Sequence, residues 1–100
     1  MAAVKTPEDE RIFEQPITIA CEECQHIFDI ELTKAGKPVS CPDCGEYMIA
    51  PKARFAPNVV VGDYILRELL GQGGAGIVFR AYQRSLDRDC ALKILYHALR

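Results

Sequence analysis

The chain has no long apolar run. No stretch of its 100 residues approaches a membrane span, and the amino-terminal MAAVKTPEDERIFEQP lacks the apolar core of a secretory signal. A positive balance is missing too, with 12 Lys and Arg against 14 Asp and Glu, a net charge of −2. Residues 17–52 are more lopsided still: Glu22, Glu23, Asp29, Glu31, Asp43 and Glu46 face only Lys34, Lys37 and Lys52. Phosphate contacts depend on Lys and Arg, so this balance argues against a nucleic-acid partner. A content of 49% hydrophobic and 26% charged residues excludes disorder and collagen-like chains but selects nothing further. These absences predict a soluble, cytoplasmic protein without a membrane segment.

What is present is cysteine in a pattern. Cys21/Cys24 and Cys41/Cys44 are two CxxC pairs with sixteen residues between them, the form of a four-thiolate zinc site. A CxxC knuckle delivers two sulfurs from one tight turn, and two knuckles fill a tetrahedral shell. No position is left for a catalytic water, so the expected Zn²⁺ is structural. A pair of disulfides or a redox CxxC is the competing reading, but a redox motif needs one CxxC opening a helix after a strand, whereas both pairs here are flanked by β-type runs. His26 is a further candidate ligand that four thiolates make unnecessary. Gly45 follows the second knuckle where a positive φ is expected, and Gln25 at the equivalent place in the first implies a strained or different turn. The fifth cysteine, Cys90, reads as a small buried apolar side chain. A reducing compartment would keep the paired four available for metal.

Residues 1–16 are polar and acidic and read as a flexible tail. Short β-type runs at Ile17 to Ala20, His26 to Leu32, Val39 to Ser40 and Tyr47 to Ile49 bracket the knuckles, with a turn over Lys34 to Pro38. This gives a metal-folded module over residues 17–52. It is similar to the small zinc ribbons common at the start of bacterial proteins, with a CPxCG knuckle at Cys41-Pro42-Asp43-Cys44-Gly45, a resemblance that implies a structural or binding role. Pro51 to Pro57, with two prolines and two basic residues and no alternation, suits a linker, placed at residues 53–58. Beyond them Tyr64 to Leu70, Ile77 to Gln83 and Cys90 to Leu95 read as strands, and Tyr96 onward as the start of a helix. The fold class is therefore mostly β, a ribbon followed by three antiparallel strands, and the strands taken alone are expected to leave an edge and an apolar face exposed.

Between the first two of these strands lies Gly71-Gln72-Gly73-Gly74-Ala75-Gly76-Ile77-Val78. In a dinucleotide-binding unit such glycines open a helix, but here a strand follows; a Walker loop needs a Gly-Lys-Ser/Thr that is absent. Leu70-Gly71-x-Gly73-x-x-Gly76-x-Val78 with Ala91-x-Lys93 instead resembles the amino-terminal hairpin of bacterial serine/threonine protein kinases over about Asp63 to Leu95. The resemblance makes residues 59–100 the start of a kinase domain. It implies that Leu70, Val78 and Ala91 line an adenine slot, that the amides of Gly71, Gly73 and Gly76 approach a triphosphate, and that Lys93 orients its α- and β-phosphates. ATP, Mg²⁺ and protein substrates are the implied cofactors and partners. Cys90 stands where relatives often have Val, and Ala75 where they carry a larger loop-tip side chain. The family's catalytic aspartate and its Mg²⁺ ligands fall beyond residue 100, so these 100 residues alone are expected to be inactive. The alternative reading is a zinc-ribbon interaction module with a non-catalytic kinase-like remnant.

Overall fold

A computed structural model describes residues 16–95, and the tail reading for residues 1–15 and the helix reading from Tyr96 fall outside them. The ribbon is two hairpins, each closed by a knuckle. β1 (Ile17–Ala20) pairs antiparallel with β2 (Ile27–Ile30), and β3 (Pro38–Ser40) with β4 (Tyr47–Ile49). A 3-10 turn over Leu32–Lys34 joins them. Gly36 follows at φ 74°, and its N–H donates to the carbonyls of Ala50 and Pro51, both at 3.2 Å, which fastens the connection to the end of the second hairpin.

The carboxy-terminal part is one antiparallel sheet in the order β5 (Val60–Val61), β6 (Tyr64–Gln72), β7 (Gly76–Gln83), β8 (Arg88–Leu95). Three of these strands match the expected ones, each beginning or ending up to two residues further out. β5, with two residues, is too short for hydrophobic periodicity to reveal. Gly62 at φ 57° opens the two-residue turn from β5 to β6, a conformation that matches the twist of the flanking strands. Across the sheet Asp63 accepts from the Ser85 N–H at 3.0 Å and from its hydroxyl, tying this turn to the one between β7 and β8.

Alternation decides which way the sheet faces. Along β7, Phe79 and Ala81 are buried, while along β8 Cys90, Leu92 and Ile94 are half-buried and Asp89, Ala91, Lys93 and Leu95 are exposed. The inner set does not wait for further chain to cover it. Ile17, Ile19, Ile30, Met48 and Ala50 of the ribbon join Val59, Leu66, Phe79 and Ala81 in a single buried cluster. The backbone is continuous across the junction as well: Ile19 bridges Val59, and the Ala20 N–H donates to the Asn58 carbonyl at 2.9 Å. The expected exposure of an apolar sheet face is thus reduced, because β1 and the end of the second hairpin lie against it. Within residues 53–58, Phe55 and Ala56 pack on the same core, and the Asn58 N–H donates to the Leu66 carbonyl at 2.7 Å.

Candidate metal centre and glycine-rich hairpin

The two knuckles are built alike. The Cys21 carbonyl accepts from the Gln25 N–H at 3.0 Å and the Cys41 carbonyl from the Gly45 N–H at 2.9 Å, while the Cys21 and Cys41 amides donate to the His26 and Glu46 carbonyls, both at 2.9 Å. Each turn then needs a left-handed residue in its last position. Gly45 supplies φ 78° without penalty, and Gln25 reaches φ 65° as a non-glycine, so the first knuckle is the strained one that its sequence indicated. The Gln25 side chain offsets part of that strain by donating to the Cys21 carbonyl at 3.2 Å.

This geometry brings the sulfurs of Cys21, Cys24, Cys41 and Cys44 within 4.8 Å of one another, and none is in a disulfide. Cys21 Sγ lies 3.7 Å from Cys44 Sγ and Cys24 Sγ 3.6 Å from Cys41 Sγ. Zn–S bonds of about 2.3 Å in a tetrahedron place sulfurs about 3.8 Å apart, so the cluster fits a metal such as zinc. Cys21 and Cys41 are buried and the other two ligand residues exposed, so the site is roofed on one side by its own hairpins. Backbone N–H groups of Glu23 and Asp43 point at Cys21 Sγ and Cys41 Sγ, each at 3.4 Å, the hydrogen bonds that thiolates accept. Desolvation pushes the Cys41 thiol up, but the amides of Cys44 and Asp43 outweigh it and bring it down to about 6. Cys44 goes the other way: the Glu46 amide lowers it, yet desolvation and the three neighbouring sulfurs push it up to about 12. Four thiolates this close repel one another, and a divalent cation is what allows them to ionise together. His26 stands outside the cluster, its ring stacked on Phe28 at 6.1 Å between centroids.

The glycine-rich segment joins β6 to β7 around a tight bend in which the Gly73 N–H donates to the Gly76 carbonyl at 3.0 Å. Gly71, Val78 and Lys93 form one row across three strands, Gly71 paired with Val78 and Val78 with Lys93. Ala91, two residues before Lys93 on β8, shares their face, the one turned away from the core. Leu70 falls in the irregularity between Leu69 and Gly71 and is 53% exposed. A Cβ at Gly71, Gly73 or Gly74 would meet nothing within 4 Å, so a ligand can come close to the backbone of this stretch. Gly76 is different. A Cβ there would collide with the Ile94 carbonyl, which gives this glycine a packing role against β8. Cys90 lies apart from the metal cluster, packed against the core from β8. Beside Ala91 on the same face, Arg80 pairs with Glu68 and Asp89, each at 3.7 Å.

The residues that sequence reasoning missed are those joining the knuckle to the sheet. Arg67 Nη2 donates to Gln25 Oε1 at 3.0 Å while its guanidinium lies over the Tyr82 ring, 5.7 Å from the centroid, and Asn58 Nδ2 donates to Glu22 Oε1 at 3.0 Å. Contacts between residues 36 and 42 positions apart leave no local signature.

No protein-family model matches the chain, and no solved structure does. Among curated proteins it is similar to a serine/threonine-protein kinase, pkn3, of Myxococcus xanthus, with 40% identity over 58 residues. That alignment covers 58% of this chain and 9% of the kinase. Part of the chain is therefore kinase-related, beside a four-cysteine cluster of the kind that holds zinc.

Proposed function

We propose that the chain is the amino-terminal part of a serine/threonine protein kinase, acting in the complete protein to bind ATP and transfer its γ-phosphoryl group to protein hydroxyls, with a structural zinc ribbon ahead of the catalytic domain. The observation that carries this reading is the row Gly71, Val78, Lys93 beneath the open space over the glycines. It sets an ammonium, an apolar side chain and a glycine backbone without side-chain cover along one face, the chemistry that a triphosphate and an adenine ring require. The similarity to a kinase over part of the chain supports the same reading.

In this proposal Leu70, Val78 and Ala91 hold the adenine, the amides of Gly71, Gly73 and Gly76 approach the phosphates, and Lys93 orients phosphate oxygens as charge redistributes in the transition state. Mg²⁺ would arrive with the nucleotide, held by residues further along the kinase domain. Zinc on Cys21, Cys24, Cys41 and Cys44 supplies a cross-link and no reaction step. Free thiols at all four positions suit the cytoplasm.

Substitution Lys93→Met in the complete protein is the test. Phosphoryl transfer should fall by at least about a hundredfold with nucleotide affinity largely kept, since a contact made mainly in the transition state affects turnover more than binding. Unchanged turnover would refute the role of Lys93. The second reading, a ribbon used as an interaction module beside a non-catalytic remnant, draws on Tyr47 and Ile49, 76% and 56% exposed on β4. An inactive complete protein would favour it.

A further inference from the structure

We propose that the ribbon is a metal-dependent support for the glycine-rich hairpin, so that occupancy of the four-cysteine centre sets the order of β6 and β7. This rests on the metal reading of the cysteine cluster but not on phosphoryl transfer. Two sets of contacts carry it. The first is the undivided core, where Ile17 and Ile19 of β1 and Met48 of β4 belong to the same buried cluster as Leu66 of β6 and Phe79 and Ala81 of β7. The second is at the first knuckle itself: Glu22 and Gln25, lying within and just after the Cys21–Cys24 turn, accept hydrogen bonds from Asn58 and Arg67, and Arg67 stacks on Tyr82 of β7.

The hairpins of the ribbon have four and three residues per strand, too few to hold their shape without a cross-link. Losing the metal releases β1, and with it the partner of Val59, the lid on Leu66 and Phe79, and the acceptor for Arg67. β6 runs directly from Leu66 and Arg67 into Gly71, so disorder at its start is passed along the strand to the loop. The knuckle contacts are solvent-exposed and the cluster is buried, so the cluster carries most of the coupling. Coupling of this kind is reciprocal: what metal does for the sheet, the sheet must do for metal affinity.

The test uses the 100-residue chain under reducing conditions, with zinc and after its removal by a chelator, read by hydrogen exchange. Backbone amides of Leu66, Phe79 and Ala81 should lose at least tenfold in protection without zinc. Leu66→Ala should in turn weaken zinc affinity about tenfold or more, while Leu86→Ala, at an exposed turn position, leaves it unchanged. If Leu66→Ala proves too unstable to purify, Arg67→Ala, which breaks the Gln25 hydrogen bond and the Tyr82 stacking but leaves the buried cluster whole, should show a smaller loss of zinc affinity in the same direction. Zinc uptake with unchanged exchange in β6 and β7 overturns the coupling alone. A chain that takes up no zinc overturns the metal reading and the coupling with it.

Discussion

Two glycines five positions apart in one loop do different work. Gly76 is needed because the Ile94 carbonyl of β8 occupies the place where a Cβ would be, whereas Gly71, Gly73 and Gly74 border open space. Gly76→Ala should therefore cost about 1–3 kcal/mol through forced movement of β8, while Gly74→Ala should stay within about 0.5 kcal/mol, both measured by denaturant unfolding. The motif spacing named Gly71, Gly73 and Gly76 but not the division between them, because a glycine kept for backbone approach to a ligand and one kept for packing look the same in a sequence. The knuckles were more legible: Gln25 in place of a glycine implied a strained or different turn, and at φ 65° it takes the same left-handed turn as Gly45 at φ 78°, as a non-glycine. Arg67 carried no such sign, since its partner Gln25 lies on another hairpin.

At the scale of elements, turns and knuckles hold what the strands alone would not. The hydrogen bond from the Ser85 hydroxyl holds the Asp63 carboxyl below the usual carboxylate range against the opposing effect of desolvation, and the Ser85 amide adds to the lowering. A depressed folded value means that the stabilisation is fully present above the unfolded value of about 3.9 and is lost as pH falls through the lower folded one. Asp63→Asn should remove that acid-side dependence, and an NMR titration of Asp63 should show a midpoint below about 3.9. An unshifted midpoint would contradict the turn-to-turn link. For the ribbon, elemental analysis should give one zinc per chain, and Cys41→Ser should weaken binding sharply, since structural sites of this kind contribute about 10–16 kcal/mol in peptides. Strand positions were readable from runs of β-branched, aromatic and Leu residues, as on β7 and β8, but β5 was not, because two residues make no run.

For the whole molecule, the sequence marks a ribbon and a set of strands by their separate motifs, and the buried cluster runs across both. The β-type runs marked the strands that carry Ile17, Ile19, Phe79 and Ala81, but nothing in them told that these side chains share one core. Phe79→Ala should cost about 3–5 kcal/mol and disturb the ribbon along with the sheet, visible as coincident transitions when zinc release and β-sheet loss are followed together. Removing residues 1–52 should leave Leu66, Phe79 and Ala81 uncovered, and the remainder should bind a hydrophobic dye and associate, as light scattering would show. A monodisperse, dye-free remainder would show that the sheet needs no cover.

The position of the core also dictates a sequence of events during synthesis. Residues 17–52 emerge from the ribosome ahead of Leu66, Phe79 and Ala81, with synthesis running at about 5–20 residues per second. For some seconds, then, the ribbon can load its metal while Ile17, Ile19 and Met48 still lack their partners, and the folded ribbon serves as the template onto which the later strands close. A chain born without metal offers both unmatched halves of that core to its neighbours at once. Zinc shortage would then be felt first as lost yield of new protein, before any loss among molecules that already hold their metal, a difference that pulse labelling in zinc-depleted medium can read directly.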